Sequence, residues 1–236
     1  MKQLLRAMIA LTPYRIVRRA ENRFDAFDYS LRLLKSYGFD PRLLIDGGAH
    51  LGSFTDLATR IFPTVIAHLI EPQNACHATL SAMAKRHGHH FHPYALGNPQ
   101  DLASGLKLSE SDEASTGAHI TTDGQPIPVA ILDDLVHIEP GDRALLKLDL
   151  QGFELRALQG ATEALKGIEV VVTEVSFFAQ AYEPSIIDIV AYLDTMGFDL
   201  FDIAALSGRT RDNRLRQGDF IFVKRGSSLS LDTSWA

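Results

Sequence analysis

The stretch Leu43–Thr55, LLIDGGAHLGSFT, restricts the folds open to this chain more than any other. An apolar run, Leu43-Leu44-Ile45, meets an acid at Asp46, then three glycines at 47, 48 and 52, then residues that continue as a helix. The order is strand, tight turn, helix. A short apolar run bounded by glycine fits a strand buried on both faces of a parallel sheet. Glycine lets the backbone approach a ligand where a Cβ would clash. The unpaired N–H groups at the start of the following helix favour an anionic group there. Asp46, Gly48, His50 and Gly52 fall on alternate positions, with a histidine in the middle, so the pattern is not the G-x-G-x-x-G dinucleotide fingerprint.

A second unit of the same kind follows. Val65–Ile70 is an apolar run ending in Glu71-Pro72, and a helix is expected over Asn74–His87. Parallel strands joined by crossover helices predict a doubly wound sheet with ligands at the carboxyl ends of the strands. Glu71 lies 25 residues after Asp46, near the spacing at which an acid takes the ribose hydroxyls of an adenosine cofactor. A carboxylate offers paired acceptors to a vicinal diol; the plain alternative is an exposed glutamate at a strand end. His87, His89, His90 and His92 cluster around a short strand expected over His90–Tyr94. Alternation separates His90 and His92 from His89, and no cysteine or carboxylate completes a ligand set, so they are read as surface histidines. Ala95-Leu96-Gly97 ends that third strand, leaving room for a flat base.

Residues 98–128 are polar and rich in Ser, Thr, Asp and Gly. They form either a solvated hairpin and loop or an insertion over the active site, with Ser115, Thr116 and His119 as candidate substrate-facing groups. A short helix is expected over Ile131–Leu135. Ala144–Leu150 reads as a fourth strand that places Lys147 and Asp149 on one face, followed by a helix over Phe153–Leu165. Ionisable residues in a buried strand are costly unless paired or functional. Glu169–Val175 is a fifth strand with Glu174 at its end, Pro184–Met196 a helix, and Asp199–Ala204 and Asp219–Lys224 the sixth and seventh strands. Arg209, Arg211, Arg214 and Arg216 form a basic loop between them, read as a solvated charge run.

The length of 236 residues suits one α/β domain. The expected division is an N-terminal helical extension over 1–40, the α/β domain over 41–225 and a polar tail over 226–236. A net charge of −6 argues against nucleic acid as a partner. The single cysteine, Cys76, is compatible with a reducing cytoplasm. No run is long and apolar enough to span a bilayer. Met1–Tyr37 reads as helical with a break at Pro13, and apolar residues recur at Phe24, Phe27, Leu31 and Leu34. Its basic amphipathic start is expected to dock on the protein's own surface or on a second copy, a membrane surface being the lesser reading.

These residues resemble the FkbM-type methyltransferases, a branch of the S-adenosylmethionine-dependent Rossmann-like enzymes. The resemblance rests on IDGGAHLGSFT (Ile45–Thr55), IEP (Ile70–Pro72), YALG (Tyr94–Gly97), LLKLDLQGFELRALQGA (Leu145–Ala161), VVTEV (Val171–Val175) and QGDFIFVK (Gln217–Lys224), in the family's order. It implies a seven-stranded, mostly parallel sheet with the last strand antiparallel, and S-adenosyl-L-methionine as cofactor. It further implies that Asp46, Gly47, Gly48, Ala49, His50 and Gly52 cradle the methionine part, that Glu71 and Pro72 border the ribose, that Ala95 and Leu96 border the adenine, and that Asp149 lies near the amino group or sulfonium. His50 stands where the family usually has Asn, and Gln151 where an acid is common. The implied reaction is O-methylation of a hydroxyl on a sugar, glycolipid or polyketide-like natural product, with Asp149, Glu174 and His119 as catalytic candidates and no metal. The competing readings are a cofactor-binding scaffold without turnover and, disfavoured by the glycine pattern, an NAD-dependent oxidoreductase.

Overall fold

In the computed structural model, residues 23–109, 114–139, 141–179, 183–230 and 234 are described. The expectations for 1–22, including the break at Pro13 and the basic amphipathic helix, lie outside the described residues. Strands β1 (Leu43–Gly47), β2 (Ile66–Ile70), β3 (His90–His92), β4 (Ala144–Leu148), β5 (Ile168–Ser176), β6 (Phe198–Arg209) and β7 (Leu215–Lys224) form one sheet. Their order across it is β3-β2-β1-β4-β5-β7-β6. The first five run parallel, and β7 runs antiparallel to both of its neighbours. The order reverses between β1 and β4, which makes their carboxyl ends the expected ligand crevice. Every residue of β1 and β4 is buried, as their apolar runs require of central parallel strands.

Helices cover both faces. On one, α1 (Arg23–Ser36) and α2 (Ser53–Ile61) pack on the sheet. Phe27, Leu31 and Leu34 of α1 recur at helical spacing and join Phe54, Leu57 and Ile61 of α2 over Leu44, Val172 and Ile221. The described part of the N-terminal extension is thus built into the core. On the other face, Ile189 and Leu193 of α5 (Ile186–Thr195) meet Leu146, Val171, Phe220 and Phe222. α3 (Asn74–His87) packs Cys76 and Leu80 over Leu69, and α4 (Glu154–Gln159) adds Ala157 and Leu158 to the α5 side. Among the described residues, no helix is long and apolar enough to cross a membrane.

Four sequence expectations are revised. The third strand stops at His92 because Pro93 has no N–H for the ladder, and Ala95–Leu96 pairs instead with Val129–Ala130, outside the main sheet. The helix expected over Phe153–Leu165 is cut in two, α4 and Ala164–Gly167. A Cβ at Gly160 would lie 2.1 Å from the Gly97 carbonyl oxygen, and the Asp133 carboxylate accepts from the N–H groups of Glu163 and Ala164 at 3.1 and 2.8 Å. Asp133 therefore offers the second segment its own start. Residues 98–128 hold a capped helix, Pro99–Ser104, and a hairpin pairing Leu106–Leu108 with Gln125–Ile127. The basic loop is mostly hairpin: Arg209 pairs opposite Leu215 at the end of β6, and Arg216 lies in β7.

Candidate active site

A cavity of about 380 Å³ opens at the carboxyl ends of β1, β2 and β4. The β1–α2 turn forms one wall. At Gly48 φ is 71°, and an added Cβ would lie 1.9 Å from the Asp149 carbonyl oxygen; glycine alone lets the turn pass the end of β4. The N–H groups of Gly48 and Ala49 both donate to the Ile70 carbonyl, at 2.9 and 3.1 Å, which ties the turn to the end of β2. The His50 N–H then donates to Glu71 Oε2 at 2.8 Å, and the Gln73 N–H to Glu71 Oε1 at 3.0 Å. Glu71 is only 3% exposed, so two backbone donors fix its carboxylate at the cavity wall. An ionised carboxylate has about four acceptor sites, so each oxygen keeps one more for a ligand. His50 Nε2, buried at the same wall, has no hydrogen-bond partner among the described residues.

Asp46 lies one layer below and does not line the cavity. It is 0% exposed, accepts from Thr55 Oγ1 at 2.7 Å, and lies 3.1 Å from Lys147 Nζ in an ion pair. The register places Asp46 opposite Lys147 on neighbouring strands, so the salt-bridge partner of Lys147 is Asp46, not Asp149. Lys147 Nζ also donates to the Gly48 carbonyl at 2.8 Å and so supports the turn from beneath. Burial pulls the Lys147 pKa down, but Asp46 and Asp149 outweigh it and hold the pKa above its ordinary value. Gly47 and Gly52 do not line the cavity either; Cβ atoms there would lie 2.7 Å from Leu148 Cδ2 and 2.7 Å from Met83. Their fit is to packing.

Opposite Glu71 stands an acidic group gathered from several elements. Arg23 of α1 donates through Nη1 to Asp149 Oδ2 at 2.7 Å and through Nε to Asp219 Oδ2 at 2.6 Å. The same guanidinium lies 3.4 Å from Glu174 Oε1. Gln151 Nε2 bridges Asp149 Oδ1 at 3.0 Å and Glu174 Oε2 at 3.3 Å. Burial pushes the Asp149 pKa up, but Lys147 and Arg23 win and leave it below the usual range. Glu174 is pushed up to about 8 by burial and by the charge of Asp149, with Arg23 opposing. Glu154, buried and accepting from the Leu150 N–H at 2.6 Å, is raised to about 7, chiefly by burial. Asp149, Glu154 and Glu174 bring oxygens within 4.8 Å of one another, and Arg23 supplies the nearby positive charge to two of them.

Of the residues singled out in sequence, Gly48, Ala49, His50, Glu71, Pro72, Ala95, Leu96, His119 and Asp149 line the one cavity. Glu174 stands behind it, joined through Arg23 and Gln151. Ser115, Thr116 and His119 border the cavity from the polar segment, and the Ser115 N–H donates to Gln73 Oε1 at 2.9 Å, so that segment covers the site. Sequence reasoning missed Arg23, Phe24 and Phe27, which α1 brings to the cavity. The apolar stripe of α1 was visible, but where it docks was not.

Residues 46–200 match the model of the methyltransferase FkbM domain. Among solved structures, methyltransferase FkbM from Methylobacillus flagellatus KT superposes with a TM-score of 0.50 at 19% identity, over 77% of this chain and 44% of that one. This chain therefore spans less than half the length of that protein. A putative rRNA-methylase from Clostridium thermocellum gives a TM-score of 0.51 at 7% identity, over 90% of this chain and 99% of that one. Magnesium protoporphyrin IX methyltransferase from Synechocystis PCC 6803, with bound S-adenosylmethionine, gives 0.49 at 12% identity, over 94% and 96%. At such identities the likeness is one of fold. No protein of curated function matches the chain by sequence. The match over 46–200 spans more than half of the chain and establishes that the chain belongs to the FkbM methyltransferase domain family.

Proposed function

We propose that this chain transfers a methyl group from S-adenosylmethionine to a hydroxyl oxygen of a sugar, glycolipid or polyketide-like natural product. The observation that carries this reading is the Glu71 carboxylate, held by the N–H groups of His50 and Gln73 at the wall of a cavity that Asp149 also lines. The residues fit an adenosyl group. Glu71 offers acceptors to a ribose diol, Ile70, Ala95 and Leu96 give an apolar border for a flat base, and His50 Nε2 is a buried polar atom without a hydrogen-bond partner among the described residues. Asp149, ionised beside Lys147 and Arg23, suits the cationic end.

When bound, the cofactor supplies a methyl already activated by its sulfonium. The chain's part is to orient the acceptor, exclude water and receive a proton. Orientation in a near-attack geometry is worth on the order of 7–11 kcal/mol, whereas a general base adds roughly 10²- to 10⁴-fold. Positioning therefore dominates, and Asp149, the Gly48–His50 turn and the segment bearing Ser115, Thr116 and His119 perform it. His119, on the cavity wall, takes the hydroxyl proton in this reading. Glu174 is the poorer candidate: it stands behind Arg23 and Gln151, and with a pKa of about 8 it is mostly protonated at neutral pH.

Calorimetric titration with S-adenosylmethionine, S-adenosylhomocysteine and NAD, each alone, tests the cofactor assignment. Binding of the first two without NAD is expected, and a preference for NAD or no binding at all would overturn it. Labelled methyl appearing on a hydroxyl acceptor tests the reaction. A cofactor-binding module without turnover is the second reading, favoured by the pairing of Arg23 with Asp149 and Glu174; bound cofactor with no product across acceptors would select it.

A further inference from the structure

The β3 edge of the sheet carries another group of ligating side chains. β2 and β3 pair with His68 opposite His90 and Ile70 opposite His92, so His68, His90 and His92 project from one face. Leu69 and Phe91 project from the other, beside Cys76 and Leu80 of α3. His92 Nε2 lies 3.0 Å from His68 Nδ1, and the ring of His90 stands 4.6 Å from that of His68, centre to centre. His68 and His92 are half-buried and His90 is exposed. The sequence pattern around His87–His92 lacked a third ligand because His68 comes from a different strand, and only the register brings it in.

We propose that His68 and His92, with His90 as third ligand, bind one divalent transition-metal ion of the class that imidazole favours: zinc, nickel or copper. Two nitrogens bound to one zinc at about 2.0–2.1 Å lie roughly 2.9–3.4 Å apart for angles between square and tetrahedral. The observed 3.0 Å separation falls in that interval. The His68 and His92 rings are nearly parallel, at 17°, and in the proposal each turns about χ2 to bring its nitrogen to the ion. The hydrogen now shared between them moves to the outer nitrogen of its own ring through water, so no net proton need be lost. His90, exposed beside His68, is the third ligand once its side chain turns toward the pair, and water completes the set.

The site adjoins the cofactor wall through the backbone, because the Glu71 N–H donates to the His92 carbonyl at 3.1 Å. The test uses the full chain without a polyhistidine tag, stripped by chelator and titrated with zinc by calorimetry while imidazole nitrogen shifts are followed by NMR. One ion per chain is expected, with shifts at His68, His90 and His92. His68→Gln and His92→Gln should each abolish binding and His90→Gln should weaken it, with urea midpoints confirming that the variants fold. His137→Gln, at an exposed histidine paired with Glu139, should bind as the parent does. No zinc binding by the parent, or binding retained in both His68→Gln and His92→Gln, would overturn the proposal.

Discussion

Glu71 shows how much a single side chain can fix. Each oxygen accepts one backbone N–H, so the carboxylate both shapes the His50 turn and presents its remaining acceptors to the cavity. Glu71→Gln sets an amide NH₂ against one of those two donors and removes the charge. Hydrogen bonds to charged groups contribute about 1.5–3 kcal/mol, which corresponds to roughly 10- to 100-fold in affinity. Calorimetry with S-adenosylhomocysteine is expected to show a weakening of that order, and the thermal midpoint should fall as well, because the backbone donor that faces the amide loses its acceptor. Equal affinity for both proteins would mean that the ribose lies elsewhere.

At the scale of elements, the Asp46–Lys147 pair joins β1 to β4 beneath the turn. Lys147→Met strands a fully buried carboxylate, and breaking a buried pair from one side costs about 3–5 kcal/mol. Urea denaturation should show a loss of that size, and Asp46→Leu added to Lys147→Met should recover most of it, because an apolar pair of similar volume is often neutral. A single variant as stable as the parent would contradict this. The strands that carry the site were legible because buried parallel strands are near-continuous apolar runs, as Leu43–Ile45, Val65–Ile70 and Val170–Val172 are. Glu71 was legible by its offset from the glycine turn. Asp46 was misread as a cavity residue because sequence gives the order of residues but not their layer: the last residues of a strand alternate between ligand and core. The break at Gly160 and the role of Arg23 depend on contacts with Gly97, Asp149 and Asp219, residues distant in sequence that no local pattern announces.

Across the whole molecule, the fold gathers Asp149 from the end of β4, Glu154 from α4, Glu174 from β5 and Asp219 from β7 around two cations, Arg23 and Lys147. Glu174 and Glu154 titrate near 8 and 7 in the folded protein against an ordinary 4.5. Between those values the folded chain holds protons that the unfolded chain has released, so the stability they contribute is complete below about 4.5 and is lost as pH rises through 7 and 8. Asp149 has the opposite sign, but its lowered pKa acts only in acid. His68, depressed to about 4, also opposes, and its contribution is complete above its ordinary 6.5. A range of about pH 7–9 therefore isolates the two glutamates, each able to change stability by up to about 1.4 kcal/mol per pH unit. The urea midpoint is expected to fall across that range, most steeply at its lower end. Glu174→Gln, which has no proton to release, should flatten the fall and gain on the parent at the alkaline end. Arg23→Ala removes a cation that lowers the Glu174 pKa, so the loss should continue to higher pH. A midpoint independent of pH in the parent, or the same slope in Glu174→Gln, would show that these carboxyls are not held together as the fold places them.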